Sequence, residues 1–187
     1  ASVEATYGAN MPTAVMPTRA LHTFGGYTDA TSGGTQYYTA TGASARTYNK
    51  TAASTLYAQW TACTACAATG GASCSLSVVG NVCTYATSCP AGYTITNNGK
   101  YNPSCTAGGY TVTFDKQSGT GGSDSVQATF NAPMPAATMP TRSNHVFTGY
   151  YDAALTGGTQ YYNSAGASAR NWDKSNAATL YARWTQC

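Results

Sequence analysis

"YTVTFDKQSGTGGSDSVQATF" spans residues 110–130, and its two ends follow one rule. Thr111-Val112-Thr113-Phe114 alternates polar and apolar residues, the period of a strand with one buried face. Residues 125–130, "SVQATF", alternate in the same way, and the "SGTGGSD" between them is rich in the glycine that tight turns need. The stretch therefore reads as a β-hairpin. Downstream, "APMPAATMPTR" (132–142) carries Pro133, Pro135 and Pro140. Proline removes a backbone donor, which excludes a helix interior or a central strand and leaves an extended connector. "HVFTGYYD" (145–152) is a third strand, and "GGTQYY" (157–162) is a turn and a short fourth. "TLYARW" (179–184) closes the module with Leu180, Ala182 and Trp184 on one face and Tyr181 and Arg183 on the other. The pattern of residues 163–178 decides for neither turn nor helix.

Composition agrees with β structure. Charged residues make up 8% of the chain against a norm of about 25%, and Thr, Ala, Gly, Ser, Asn and Tyr supply its polarity instead. Thr, Val and Tyr suit pleated surfaces, Gly, Asn and Ser suit turns, and good helix formers are scarce. The net charge of +3 is scattered without a Lys/Arg cluster, so a nucleic-acid partner is not expected. Apolar runs are too short to span a bilayer, and membrane insertion of this segment is not expected either.

The module occurs twice. "SVEATYGANMPTAVMPTRALHTFGGYTDA" (2–30) matches "SVQATFNAPMPAATMPTRSNHVFTGYYDA" (125–153), and "GGTQYYTATGASAR" (33–46) matches "GGTQYYNSAGASAR" (157–170). "TLYAQWTAC" (55–63) then falls on "TLYARWTQC" (179–187). From Gly33 onward the offset is 124, and roughly three-fifths of the aligned positions are identical. The first copy has no counterpart of the alternating strand at 110–114, which leaves it with an open sheet edge and an exposed groove.

Between the copies lie Cys63, Cys66, Cys74, Cys83, Cys89 and Cys105, in a segment with almost no aliphatic core. Such a cluster reads as a disulfide framework formed in an oxidising compartment. Zinc is the rival, but Cys63-Thr-Ala-Cys66 is the only CxxC and no second pair follows at finger spacing. Six cysteines allow 15 pairings, and the spacing does not choose among them. Cys187 aligns with Cys63, so it stands where another Cys-rich segment would begin. A longer array is the expected natural object. The alternative is a head-to-tail filament, in which a neighbouring chain supplies a strand to the open edge and Cys187 bonds the next chain.

Several elements in order and spacing resemble the Listeria–Bacteroides repeat, or internalin B-repeat, family: "YTVTFDKQSGTGG", "VQATF", "MPTRSNHVFTGYYD" and "TLYARWT" over 110–185, and again in the shorter copy at 2–61. The resemblance implies compact β-grasp-like domains of bacterial surface or secreted proteins, strung in tandem. Tyr27 and Tyr150 stand where the family often carries Trp, and the Cys-rich insert is no part of the repeat. That insert loosely resembles short disulfide-stapled extracellular modules of the growth-factor-receptor type. The expected fold is mainly β: a repeat domain lacking its opening strand (1–62), a disulfide-rich, loop-rich segment (63–107) and a complete repeat domain (108–187).

No set of titratable residues converges on a reaction, and neither a nucleophile motif nor a phosphate loop occurs, so no enzyme, metal or cofactor is expected. Asp29 and Asp152 recur beside the turn before "GGTQYY", where Asp typically fixes the backbone. Asn49-Lys50 and Asp173-Lys174 offer groups for an internal isopeptide bond, a less favoured reading because neighbouring strand residues point to opposite faces. Arg46 and Arg170 are expected to stack on tyrosine, with contact between units as the functional alternative. The "YY" pairs read as one ring in and one out, which makes Tyr38 and Tyr162 candidate contacts to a ligand or to the next unit. The favoured function is a structural repeat of an extracellular stalk, fibre or filament, whose partners are copies of itself. The alternative is an adhesin module that binds a host protein or glycan through exposed aromatics.

Overall fold

Alternating Thr, Val and Tyr residues punctuated by glycine build a chain of short strands, and no helix forms among the described residues. The computed structural model describes residues 2–187. The strands of the first copy are β1 (His22–Thr28), β2 (Gln36–Tyr38) and β3 (Tyr57–Ala62). The Cys-rich segment contributes β4 (Ser73–Val79), β5 (Val82–Ser88), β6 (Tyr93–Thr96) and β7 (Ser104–Ala107). The second copy holds β8 (Gly109–Asp115), β9 (Ser125–Thr129), β10 (His145–Tyr151), β11 (Gln160–Tyr162) and β12 (Ala178–Gln186). The chain forms two compact units. One takes in the residues up to Ala68 with Ser73–Ser88 and Asn97–Pro103, and the other Thr69–Ala72, Cys89–Thr96 and Ser104–Cys187.

The second unit carries a five-stranded sheet in the order β11-β10-β12-β8-β9. The hairpin β8/β9 is antiparallel with Val112 opposite Val126, while β12 runs parallel to β8 with Leu180 opposite Phe114. Alternation sends Val112, Phe114, Leu180 and Ala182 into the core and leaves Thr111 and Thr113 in solvent. Aromatic rings fill the interior: Phe114 stacks on Tyr150 at 4.4 Å between centroids and meets Tyr162 edge-on at 5.6 Å. Strand β10 bulges between Phe147 and Gly149, where Gly149 has φ +140° and a Cβ would lie 2.4 Å from Tyr162 O. Only glycine fits there.

The first unit repeats half of this sheet, in the order β2-β1-β3. Ser2–Thr6, the counterpart of β9, is not in a strand, and neither is Ser54–Leu56, the counterpart of the first turn-ward residues of β12. Both segments in the second unit owe their strand state to β8, which pairs with each of them. Without such a partner the ladder groups on both sides have nothing to pair with, so the extended backbone goes unzipped. The core shrinks accordingly. Leu180 is fully buried but its counterpart Leu56 only in part, and the same holds for Tyr150 against Tyr27 and Ala128 against Ala5.

Three disulfides hold the Cys-rich segment: Cys63–Cys83, Cys66–Cys74 and Cys89–Cys105. Its hairpins β4/β5 and β6/β7 are two-stranded and bury little, so covalent links replace a core. The β4/β5 turn is Gly80-Asn81, both in the left-handed region at φ 56° and 62°, as a type I′ hairpin requires. Cys187 is free and exposed.

Candidate functional site

Each copy builds one conserved polar frame around its "GGTQYY" stretch. Asp29 Oδ1 accepts the Thr35 N–H at 2.7 Å, and Lys50 Nζ donates to Asp29 Oδ2 at 2.8 Å. Asp152 does the same with Thr159 N–H at 2.6 Å and Lys174 Nζ at 2.9 Å. The Lys50 hydrogen bond, with the Thr35 amide, holds the Asp29 carboxyl below its usual range. Burial pushes the Asp152 carboxyl upward, but the Thr159 amide and Lys174 outweigh it, so this carboxyl too stays below the usual range. Asp29 and Asp152 thus act on the turn, as expected from their position, and each pairs its charge with a lysine, Lys50 or Lys174, of the Asn49-Lys50 and Asp173-Lys174 dipeptides.

The expectation of an outward ring at Tyr38 and Tyr162 is corrected by burial. Tyr37, Tyr38, Tyr161 and Tyr162 are all buried to within 2%. Tyr38 and Tyr162 face the sheet interior, and their hydroxyls donate to Pro12 O and Pro135 O at 2.6 Å. Tyr37 and Tyr161 do lie on the opposite face, but that face is covered. Tyr161 packs on Trp172 at 5.2 Å and donates its hydroxyl to Asp173, and Tyr37 packs on Tyr48 at 6.0 Å and donates to Asn49. Arg46 and Arg170 are placed over the Tyr37 and Tyr161 rings at 5.4 and 5.5 Å, as the stacking reading expects. Burial raises the Tyr162 hydroxyl to about 12, and burial aided by the Asp173 hydrogen bond raises Tyr161 to about 12.

Asn81 was not singled out by its sequence. Its side chain acts as a peptide group at the tip of the β4/β5 hairpin: Phe24 N–H donates to Asn81 Oδ1 at 2.5 Å, and Asn81 Nδ2 donates to Phe24 O at 2.8 Å. The Gly80-Asn81 dipeptide between alternating runs signals a hairpin. Its docking onto a strand 57 residues away leaves no local trace.

The largest difference between the copies lies where β8 stands in the second. There the turn after β8 is fastened: Trp184 Nε1 donates to Lys116 O at 3.1 Å, and Arg142 Nη1 to Gln117 O at 3.3 Å. Thr120 and Thr141 exchange backbone hydrogen bonds at 2.8 and 2.9 Å. In the first unit the counterparts, Trp60 Nε1 and the Arg19 guanidinium, have no hydrogen-bond partner among the described residues. A groove of about 1320 Å³ opens there, lined by Ser2–Ala5 and Thr51–Leu56 with Met11, Tyr27 and Tyr38. A second cavity of about 590 Å³ is lined by Met16–His22, Phe24 and Trp60, with Asn81 at its wall. Arg19 and His22 line the smaller cavity, and Glu4 and Lys50 line the groove.

Residues 110–183 match the family model of the Listeria-Bacteroides repeat domain. The match covers the five strands of the second copy up to Arg183, while the first copy and the Cys-rich segment lie outside it. Among curated proteins, none matches the chain. The repeat domain points to an extracellular repeat module, and three disulfides are consistent with an oxidising location.

Proposed function

We propose that this chain is a structural segment of a bacterial extracellular stalk, fibre or filament, assembled from β-grasp-like repeat units linked by disulfide-stapled connectors. The observation that carries this reading is the agreement of the two copies down to single contacts. Met11 N–H and Met134 N–H each donate to a serine hydroxyl, Ser44 and Ser168, at 2.9 Å, and the Tyr38–Pro12, Lys50–Asp29 and Arg46–Tyr37 contacts recur as Tyr162–Pro135, Lys174–Asp152 and Arg170–Tyr161. What is preserved between the copies is packing, which fits a module whose task is to be repeated.

The adhesin alternative asks for a solvent-facing set of aromatics. Among the described residues only Tyr7, Tyr57 and Tyr101 of the large rings are exposed, which favours the structural reading. The partners are then further repeat units of the same kind, and the chain performs no catalysis and holds no cofactor. The mass of the native material, denatured with and without reductant, tests this. A very large mass, or a ladder that reductant collapses to the 19.3 kDa of this chain, is expected. A 19.3 kDa species under both conditions that is also monomeric in native buffer refutes the array.

A further inference from the structure

"NNGKYNP" (97–103) holds the single Asn-Gly pair of the sequence, Asn98-Gly99. The pair forms the corner of a turn that Lys100 N–H closes on Asn97 O at 3.0 Å, with Gly99 at φ +70°, as a turn with glycine at its third position requires. Both residues are exposed, and a Cβ on Gly99 would meet nothing within 4 Å. No side chain therefore shields the Gly99 nitrogen from the side-chain amide of Asn98, the approach by which asparagine loses ammonia. One hydroxyl holds the two groups. Thr87, on β5 opposite Cys74, donates to Asn98 Oδ1 at 2.7 Å and accepts the Gly99 N–H at 2.9 Å. The Gly99 N–H is thus directed at Thr87 Oγ1, and the Asn98 amide is anchored through its oxygen. Ring closure between them requires both hydrogen bonds to break.

We propose that Asn98 is a site of spontaneous covalent modification whose rate is set by the Thr87 hydroxyl. Gly99 N bonds to Asn98 Cγ, the Cγ–Nδ2 bond breaks, and Nδ2 departs as ammonia with the proton that Gly99 N gives up. Water then opens the cyclic imide at either carbonyl and leaves aspartate or isoaspartate at position 98. The sum is amide plus water to carboxylate plus ammonium, so no oxidant or reductant is needed. Both products add a negative charge to a chain of net charge +3. Isoaspartate also lengthens the backbone between residues 98 and 99, which carries the Gly99 N–H away from Thr87. The Thr87 bonds fasten Asn97–Pro103 to its unit together with the Tyr85–Tyr101 ring pair at 6.4 Å and the Ala67 N–H on Tyr101 O at 2.6 Å. Modification therefore loosens this segment in a region held by disulfides in place of a core. Thr87 acts as a guard that slows the change.

The inference is independent of the array reading. Its test incubates the 187-residue chain, disulfides intact, at neutral pH and body temperature, and follows conversion at Asn98 by peptide mass spectrometry. Asn49 and Asn131, which lack a following glycine, serve as references in the same digest. Asn98 is expected to convert about tenfold more slowly in the folded chain than in the same chain unfolded in urea, the factor that two hydrogen bonds supply. Thr87→Val keeps the shape of the side chain and removes the hydroxyl. It is expected to raise the rate at Asn98 about tenfold and to leave Asn49 and Asn131 unchanged. Thr87→Ser, which keeps the hydroxyl, is expected to retain the slow rate. The proposal is overturned by equal rates in the folded and unfolded chains, or by a Thr87→Val chain that converts no faster than the original. It is overturned equally by Thr87→Ser behaving as Thr87→Val, or by a rise at Asn98 that the two reference asparagines share, which would mark general unfolding in place of a lost guard.

Discussion

Leu180 and Leu56 are the same residue in two copies of one module, which makes the chain its own control. Leu180 is fully buried, opposite Phe114 in the parallel pair, whereas Leu56 borders the groove and is only partly covered. Truncation to alanine removes three carbons, worth roughly 0.8 kcal/mol each in transfer. At Leu180 a cavity forms among rings that cannot all close in, so Leu180→Ala is expected to cost about 3–4 kcal/mol. At Leu56 solvent already reaches the site and no sealed cavity is left, so Leu56→Ala is expected to cost about 1 kcal/mol or less. Urea titration read by pulsed hydrogen exchange and peptide-level mass spectrometry reports each unit separately. With a slope of about 1.5 kcal/mol per molar, the second unit's midpoint falls by about 2 M and the first unit's by under about 0.7 M. Equal shifts, or a larger shift at Leu56, would refute the idea that β8 supplies the difference between the two cores.

Two further outcomes follow from named contacts. Gly149→Ala is expected to destabilise the second unit by about 3 kcal/mol or more, because φ +140° and a Cβ 2.4 Å from Tyr162 O leave no room. Gly157→Ala, at φ +69° with open space around it, is expected to cost about 1 kcal/mol, and thermal melting of the two variants compares them directly. Burial, joined at Tyr150 by the charges of Asp115 and Asp124, raises Tyr150 and Tyr162 to about 12. The unfolded chain ionises its tyrosines near pH 10 while the folded one keeps these neutral, so stability is whole below pH 10 and falls as pH rises toward 12. Tyrosinate absorbance is expected to rise in two stages, exposed rings first and the buried set together with loss of near-ultraviolet dichroism. A single smooth titration with intact dichroism would contradict that burial.

How far the residues disclosed the molecule depended on the range of the forces involved. The strands of the second copy were legible because one-sided burial writes a period of two, as Thr111–Phe114 and Leu180–Trp184 show. The prolines of 133–140 marked a connector for an equally local reason, the lost donor. The groove of the first unit was legible from alignment of the copies, since the absence of a β8 counterpart states which neighbours lack a partner. The two-sided burial of the tyrosine pairs was hidden. Alternation says that Tyr161 and Tyr162 point apart, but not that the segment bearing Trp172 returns to cover the second face. The pairing of Cys63 with Cys83 and the clasp of Asn81 on Phe24 were hidden likewise, because each joins residues far apart in sequence whose spacing has no preferred value.

In the second unit the chain enters the sheet along β8 and leaves it along β12, and these two strands lie side by side and parallel over Val112–Asp115 and Ala178–Tyr181. Tension applied to the two ends of such a repeat therefore pulls the pair past each other along their length. Every ladder hydrogen bond between them is loaded at the same moment, together with the Leu180–Phe114 contact beneath. An antiparallel terminal pair would peel open one bond at a time. A repeat closed by its first and last strands is thus loaded in shear and resists extension more than one whose terminal strands unzip.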